Sequence, residues 1–407
     1  MKLKHALILL TLVSVVADTM LLPFYPQFFA QAFNYTSPEH VGYYIAACCI
    51  TVMVTFPLWA KLAKYVHEFH IWIYSQVAAC CLGVACYFST SLVEFWVLSQ
   101  AMLVFKASYL LIYPYVMRLE EKDKHLGMVG LFSVLMHFGA IGGALLGAFT
   151  LQFLSPKSLY LIMASTDALQ VCVCFYLIMR MNIQWRVAKP TSNASDIETT
   201  EESVHTPKKL KRILAALGLS TMLFYFSVFL IRPFFTRYWE QINELTWLAS
   251  ELMTGFVYSI PGWIAVIGLW INHKRKDSHK NFSIVVTSML LGVIGLLLQS
   301  SEQYWIVIMG RCIFGWALFQ VTVRLELLLF EVSLPERYGQ DFSSMHFMQN
   351  LGVIGASFTA GHLVSNFPIE FSFYLAVIGL IITLAVFYWV FGQAIKPSET
   401  EAAPQNS

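Results

Sequence analysis

The sequence predicts an all-α polytopic membrane protein in which twelve transmembrane helices form two pseudo-symmetric six-helix bundles. Three observations lead to this fold class: a low content of charge, a series of long apolar runs, and short motifs repeated in the two halves of the chain. Of the 407 residues, 57% are hydrophobic and only 12% are charged, whereas a soluble domain is roughly 45–50% apolar and about 25% charged. This composition excludes a soluble globular protein and a disordered one.

The apolar runs are long enough to cross a bilayer. A spanning helix needs about 20 mostly apolar residues. The first run contains Asp18, Pro23 and Pro26 and is longer than the apolar core of a signal peptide, so we expect it to remain as the first helix. The predicted spans are 5–30, 41–61, 70–90, 92–117, 127–153, 159–181, 213–236, 247–271, 282–300, 304–330, 343–366 and 370–394.

The basic residues predict the orientation of these spans. If both termini are cytoplasmic, the inner segments hold 20 of the 26 Lys and Arg residues, and the outer loops hold two, Lys157 and Arg237. Cytoplasmic loops of membrane proteins are enriched in Lys and Arg. We therefore expect an integral, multi-pass protein of a bacterial inner membrane or plasma membrane, with both termini cytoplasmic.

The longest polar stretch separates six spans from six. It is rich in Ser, Thr, Glu and Lys, and such segments cannot bury enough apolar surface to fold on their own. The predicted organisation is therefore a first six-helix bundle, a cytoplasmic linker, a second six-helix bundle and a cytoplasmic tail. Their boundaries are 1–182, 183–212, 213–395 and 396–407.

Short motifs recur at nearly one offset in the two halves. LLPFYPQFF at 21–29 aligns with IRPFFTRYW at 231–239, and FGAIGGALLG at 138–147 aligns with LGVIGASFTA at 351–360. These offsets of 210 and 213 residues place each span on its expected counterpart. Repeated halves related by an axis along the membrane normal are typical of carriers that work by alternating access and hold substrate near the midplane.

This organisation resembles the major facilitator superfamily over about residues 5–394. In the first span, Pro23 and Pro26 are similar to the two prolines, three apart, of the twelve-span drug:proton antiporter branch. In span 10, Arg311-Cys-Ile-Phe-Gly315 resembles the superfamily's Arg-x-x-x-Gly element. The resemblance implies the twelve-helix fold of that superfamily, secondary transport by alternating access, and proton-coupled efflux.

The loop between spans 2 and 3 departs from the superfamily pattern. That pattern is Gly-x-x-x-Asp followed by basic residues, whereas here the loop begins Pro57-Leu-Trp-Ala-Lys61. The copy in the second half keeps Gly268 and the basic run but has Asn272 in place of Asp. The loop motif is thus degenerate, and an Asp-mediated latch is not expected.

Ionisable side chains at membrane depth point to a transport site. Each costs roughly 2.5–3.5 kcal/mol on insertion scales and needs a partner, water or a function. Asp18 and Lys106 lie near the middle of spans 1 and 4, which the resemblance places at the central cavity. We expect them to pair, with Asp18 binding a proton or a cationic group; the alternative is a structural salt bridge. His137 is a second proton-coupling candidate, since histidine titrates near neutral pH; the alternative is a structural histidine.

A further set of residues is predicted to bind substrate. Lys106 and Arg311 supply cations in the cavity, although Arg311 could instead cap backbone carbonyls or pair with an acid such as Asp167. Arg232 lies near the outer end of span 7, where a long side chain can also reach the membrane surface. Asn350 corresponds to His137 by the offset of 213 residues, and the tyrosines line an aromatic cavity or else belong to the core. The full set is Lys106, Arg311, Tyr25, Tyr109, Tyr113, Asn350 and Arg232.

Small residues on spans 5 and 11 indicate close helix packing. Residues spaced by three or four lie on one helix face, and small side chains there allow helices to approach closely. We expect these faces to pack at the interface between the two bundles. The residues are Gly139, Gly143, Gly147, Gly352 and Gly355.

These features support three hypotheses. The first is a secondary transporter that exports a small organic solute in exchange for protons. The second is a proton-coupled importer or exporter of an anionic metabolite such as a carboxylate siderophore, because intramembrane cations outnumber acids at mid-depth. The third is a membrane sensor or partner that does not transport, favoured only by the degenerate loop motif.

Several other classes are excluded. The chain has no Gly-rich phosphate-binding loop with Lys and Ser or Thr, so ATP-driven pumping is not expected. The net charge of +2 shows no preference for nucleic acid. We expect no enzyme activity, no metal site and no cofactor, with the proton gradient as energy source. The expected partners are a small-molecule substrate and the lipid bilayer, and the protein is expected to be a monomer.

Overall fold

The computed structural model describes residues 3–119, 125–185, 208–243, 247–274, 281–333 and 338–394, and these are helical almost throughout. We call the side at which the first helix begins the linker face, and the opposite side the distal face. The first half contains α1 (Leu3–Thr19), α2 (Tyr25–Phe33), α3 (Pro38–Leu62), α4 (Glu68–Phe88), α5 (Leu92–Lys106), α6 (Ile112–Leu119), α7 (His125–Phe153) and α8 (Ser158–Met181). The second contains α9 (Lys208–Phe229), α10 (Phe235–Ile242), α11 (Glu251–Lys274), α12 (Asn281–Gln299), α13 (Tyr304–Val332), α14 (Tyr338–Asn366) and α15 (Glu370–Ala394).

The twelve predicted spans are confirmed by this arrangement. Ten helical segments of the described residues are long and apolar enough to cross a membrane. The two others are span 4, which is divided between α5 and α6, and span 11, where α14 carries polar residues such as His346 and Asn350. Of the predicted linker 183–212, residues 186–207 lie outside the described part, and α9 already begins at Lys208. The predicted tail 396–407 also lies outside it.

Prolines break the chain at equivalent places in the two halves. Proline has no N–H, and its ring clashes with the carbonyl four residues earlier. Accordingly α1 ends at Thr19, four residues before Pro23, and α9 ends at Phe229, four residues before Pro233. The repeated motif at 21–29 and 231–239 therefore marks a backbone break that the periodicity of the apolar residues does not reveal.

The two halves contact each other along two pairs of helices. Helix α3 packs on α14, and α7 packs on α11. Close approach depends on small residues: a Cβ added at Gly42 in α3 would collide with backbone of α14, and one at Gly255 in α11 would lie against Ala148 of α7. These two contacts lie toward the distal face.

The glycines predicted to pack between the bundles instead pack within them, so that prediction is wrong. A Cβ at Gly143 or Gly147 would collide with backbone of the first span, and one at Gly352 would collide with the carbonyl of Met222 in α9. The small-residue spacing identifies a close approach but not the partner helix. All five glycines face the first helix of their own half: Gly139, Gly143 and Gly147 face span 1, and Gly352 and Gly355 face α9.

Candidate functional site

The centre of the first half holds a buried triad of charges. The Nζ atom of Lys106 lies 2.9 Å from Oδ1 of Asp167 and 3.1 Å from Oδ1 of Asp18. The three side chains come from α5, α8 and α1. The predicted contact between Asp18 and Lys106 is thus present, and Asp167 is a third member that the sequence had suggested only as a partner for Arg311.

The two carboxylates of the triad differ in accessibility. The Asp18 side chain is 25% exposed and that of Asp167 is 0% exposed, while Lys106 is 4% exposed. Oδ2 of Asp167 is buried without a hydrogen-bond partner in the described part of the chain. Asp18 is therefore the member that water or a solute reaches, whereas Asp167 holds the ammonium from the protein side.

Span 4 changes conformation directly after Lys106. Helix α5 ends at this residue and a 3-10 helix follows over Ala107–Leu111. Two tryptophans donate to carbonyls near this change: Trp59 Nε1 to Val104 at 2.7 Å, and Trp72 Nε1 to Ser108 at 3.1 Å. Short 3-10 stretches inside a helix often mark a hinge. The hydrogen bonds from neighbouring helices hold this one in place and with it the position of the ammonium.

Arg311 is engaged with backbone next to a proline kink. Pro261 lies inside α11 and cannot donate to the carbonyl of Val257, four residues earlier. Arg311 Nε donates to that carbonyl at 3.4 Å, and Nη2 donates to the carbonyl of Tyr258. Both ends of the Arg-x-x-x-Gly element therefore contact this part of α11. Arg311 donates to its carbonyls, and the missing side chain of Gly315 leaves room for Pro261, with which a Cβ would collide.

The remaining contacts of Arg311 are also with protein. Its Nη1 donates to Gln299 at 3.4 Å, and its guanidinium lies 4.0 Å from the centre of the Phe235 ring. These contacts match the alternative in which Arg311 caps carbonyls, and the suggested pair with Asp167 is not formed because Asp167 binds Lys106. Substrate contact by Arg311 stays a prediction.

Arg232 and His137 approach each other from opposite halves. Arg232 follows the end of α9, donates from Nε to the hydroxyl of Tyr258 at 2.9 Å, and lies over the Phe229 ring. His137 in α7 lies within the electrostatic range of Arg232, and its ring is 6.1 Å from that of Phe319 in α13. The structure therefore brings these two candidates together at the interface between the halves.

Asn350 is half-buried in α14 and makes no hydrogen bond within the described residues. Its predicted correspondence to His137 is one of helix position, since α14 and α7 are the equivalent spans of the two halves.

The three tyrosine candidates lie in different surroundings. Tyr109 is half-buried beside Asp18, in the 3-10 stretch of span 4. Tyr25 packs into an aromatic cluster, with its ring 5.1 Å from that of Tyr44. Tyr113 stacks on Phe342 of α14 across the two halves, with ring centres 5.8 Å apart. Of these three tyrosines, Tyr109 is the one that lies beside the charged triad. Tyr113 is part of a contact between the halves near the linker face.

No group of three or more His, Cys, Asp or Glu side chains suited to a metal ion occurs in the described segments.

Comparisons with known proteins agree with this architecture. The sequence model of the Major Facilitator Superfamily matches residues 7–301. A comparison with curated proteins finds no significant match. The chain is similar in structure to the nucleoside transporter NupG, at 13% identity and a TM-score of 0.73, covering 96% of this chain and 99% of that one.

Two further solved structures show the same likeness. The human organic anion transporter MFSD10 has 13% identity and a TM-score of 0.67 over 94% of this chain and 98% of its own. A bacterial homologue of the human lysosomal transporter Spinster, in an inward-facing and occupied conformation, has 11% identity and a TM-score of 0.68 over 95% and 96%. At such identities these likenesses establish the fold alone. Together with the family match over most of its length, the twelve-helix arrangement shows that the chain belongs to the Major Facilitator Superfamily, a family of membrane transporters.

Proposed function

We propose that this transporter exports a small organic solute by alternating access, and that a proton binds in exchange at Asp18. The observation that carries the proposal is the triad in which one ammonium faces two carboxylates. When Asp18 takes up a proton or binds a cationic group, Lys106 keeps its contact of 2.9 Å with Asp167. Exchange at Asp18 therefore leaves no unpaired ammonium in the membrane interior.

The magnitude of this effect supports a reversible site. Breaking a buried ion pair by removing one partner costs about 3–5 kcal/mol, because a buried charge is left uncompensated. A simple pair of Asp18 and Lys106 would incur that cost whenever Asp18 changed partner. With Asp167 as a fixed counter-ion the cost falls, so a proton gradient or a solute is sufficient to drive the exchange.

The chemistry of the cations favours an uncharged or cationic solute. Lys106 faces two carboxylates, and Arg311 is bound to two backbone carbonyls and to Gln299. Two carboxylates compensate the ammonium of Lys106, and three N–H groups of the Arg311 guanidinium already bind protein acceptors. Export of a weakly basic or neutral organic molecule therefore fits the described site better than transport of an anionic metabolite.

One observation favours the second candidate function, transport of an anion. Arg232 lies between the halves, and its only hydrogen bond among the described residues joins Nε to Tyr258. Its terminal nitrogens thus have donors to spare for a carboxylate or phosphate. In this alternative Arg232 binds the anion and Asp18 still binds the coupling proton.

Purified protein in liposomes tests both. An imposed pH gradient should produce solute-dependent proton flux, and Asp18→Asn should abolish it while Glu94→Gln, at an exposed position of the same half, leaves it unchanged. Absence of flux with every solute tested, together with unchanged solute binding in Asp18→Asn, would favour the non-transporting sensor. Loss of anion binding in Arg232→Ala, but not in the exposed Arg237→Ala, would favour the anionic alternative.

We also propose that the linker face is cytoplasmic and that the protein resides in a bacterial inner membrane or plasma membrane. This proposal is supported by the excess of Lys and Arg in the segments that connect helices on that face. Protease access to a tag at the C-terminus tests it: cleavage should require permeabilised cells.

A further inference from the structure

The two halves are joined at the distal face by hydrogen bonds between side chains. Gln27 in α2 donates from Nε2 to Oε1 of Glu240 in α10 at 2.9 Å. Gln31, one turn further, donates to Oε1 of Glu251 at the start of α11 at 3.3 Å. Thr236 adds a bond to the carbonyl of Pro23 at 2.6 Å. These contacts form a closure between the first span and the second half, which we call the distal latch.

The two acids of the distal latch also contact each other. The side chains of Glu240 and Glu251 lie within hydrogen-bonding reach, although an ionised carboxylate has no hydrogen to donate. Oε2 of Glu251 is buried and meets no donor among the described residues. A single proton held between the two carboxyl groups satisfies both observations, since it supplies the missing donor and removes one of two adjacent negative charges.

The charges around the pair leave this repulsion only partly compensated. Burial and, after it, the neighbouring Glu251 carboxyl together raise the pKa of Glu240 to about 8. Against these act the hydrogen bond from Gln27 on α2 and the charge of Arg237 on α10 itself. From α7, Gln152 contributes an uncharged contact, accepting from the backbone N–H of Leu252.

A second contact between polar side chains joins the halves at the same face. Glu39 of α3 lies 3.3 Å from Nδ1 of His362 in α14, and both side chains are partly exposed. This pair involves one acid and one imidazole, so it holds no proton shared between carboxylates. It serves as an internal control for the distal latch.

We propose that Glu240 and Glu251 form a proton-binding site that holds the two halves together at the distal face. The ligand is a single proton, and its release loosens the bonds from Gln27 and Gln31 and favours opening toward that side. This site is separate from Asp18, and the inference does not depend on the identity of the solute or on coupling at the triad.

The sign of the pH dependence follows from linkage. In the open state the two carboxyl groups separate into water, where a glutamate has a pKa near 4.3. Between that value and about 8 the closed state binds more protons than the open state. Closure is therefore complete at low pH and weakens as the pH rises toward 8, by at most about tenfold in the closed-to-open ratio per pH unit for one proton.

Distance measurements between spin labels test the proposal without a substrate. Labels at Thr36 and Phe367, exposed distal positions in opposite halves, are attached to the full chain with its native cysteines replaced. In lipid nanodiscs from about pH 4.5 to about pH 9.5, the short distance should dominate at low pH, and a longer one should grow as the pH rises toward about 8 and level off above it.

Variants assign that transition to the distal latch. Glu240→Gln supplies an amide donor in place of the shared proton and should stay closed at every pH, while Glu39→Gln should titrate like the parent chain. Glu251→Gln gives the same test if the first variant folds poorly. A distance distribution that does not change with pH in the parent chain overturns the proposal. So does a distribution that changes with pH in Glu240→Gln and Glu251→Gln as it does in the parent chain.

Discussion

Removal of the ammonium at the centre of the triad gives the sharpest test of how the first half is held together. In Lys106→Ala the carboxylate of Asp167, which is 0% exposed, loses its contact at 2.9 Å, and its Oδ2 already has no partner in the described chain. Leaving a buried charge uncompensated costs about 3–5 kcal/mol.

Removal of Asp18 should cost much less. In Asp18→Asn, Lys106 keeps its bond to Asp167, and the new side chain is partly exposed and finds water. The expected loss is that of one ordinary hydrogen bond to a charged group, about 1.5–3 kcal/mol at most. The two variants should therefore differ by roughly 2 kcal/mol, with the alanine variant the less stable.

Thermal unfolding in lipid nanodiscs measures this difference. For a unit of about 150–250 residues, 1 kcal/mol shifts the midpoint by about 2–4 °C, so the two variants should differ by about 4–8 °C. The double variant Lys106→Met, Asp167→Leu provides a control, because well-packed apolar residues can replace a buried ion pair at little cost. Equal midpoints for Lys106→Ala and Asp18→Asn would refute the assignment of Asp167 as the fixed counter-ion.

Other predictions follow from the same structure. Arg311→Ala should lower the free energy of unfolding by about 1–3 kcal/mol, because two carbonyls near Pro261 lose their donors. Chemical unfolding measures this change, and an unchanged midpoint would show that Arg311 does not stabilise the helix by capping these carbonyls. Gly143→Val should prevent correct packing of α7 on α1, whereas Gly355→Ala should be tolerated because its Cβ meets Phe226 at an ordinary 3.5 Å; yields of monodisperse protein compare them. Asp18→Asn should retain solute exchange down a gradient while losing its acceleration by an imposed pH gradient, which counterflow assays separate.

We propose different roles for the triad and the distal latch in proton-coupled transport. The triad lies at the membrane centre, where the solute is proposed to bind, and the distal latch lies where the halves separate. A proton on the latch favours the closed distal face, and its release favours the open one. Because the two sites are distinct, their variants should have separable effects on transport and on opening.

Much of the site was visible in the sequence. Charge is so scarce in this chain that Asp18 and Lys106 stood out as ionisable residues at similar depth, and their contact is present at 3.1 Å. Asp167 also stands out as an ionisable residue within a span, but the sequence does not show that its partner is Lys106. Ion pairing depends on which faces of neighbouring helices meet. The position of a residue along its span does not tell how that helix is rotated about its axis.

The distal latch was not visible at all. Gln27 and Glu240 are 213 residues apart and lie beside the breaks at Pro23 and Pro233. Such short helices beyond a proline turn have no apolar periodicity long enough to orient them. Their side chains are positioned by the packing of α2 on α3 and of α10 on α11.

The class of this protein, the number of its spans and their repetition in two halves could be predicted from the amino-acid sequence alone. This is because the bilayer imposes a length and an apolar composition that each helix must meet locally. Which helix faces meet is visible only in the folded protein. The glycines of α7 and α14 contact the first helix of their own half, Arg311 donates to a carbonyl near Pro261, and Lys106 binds two acids. Helix rotation and partner choice result from close packing among many side chains, a property of the assembled bundle that no local segment contains.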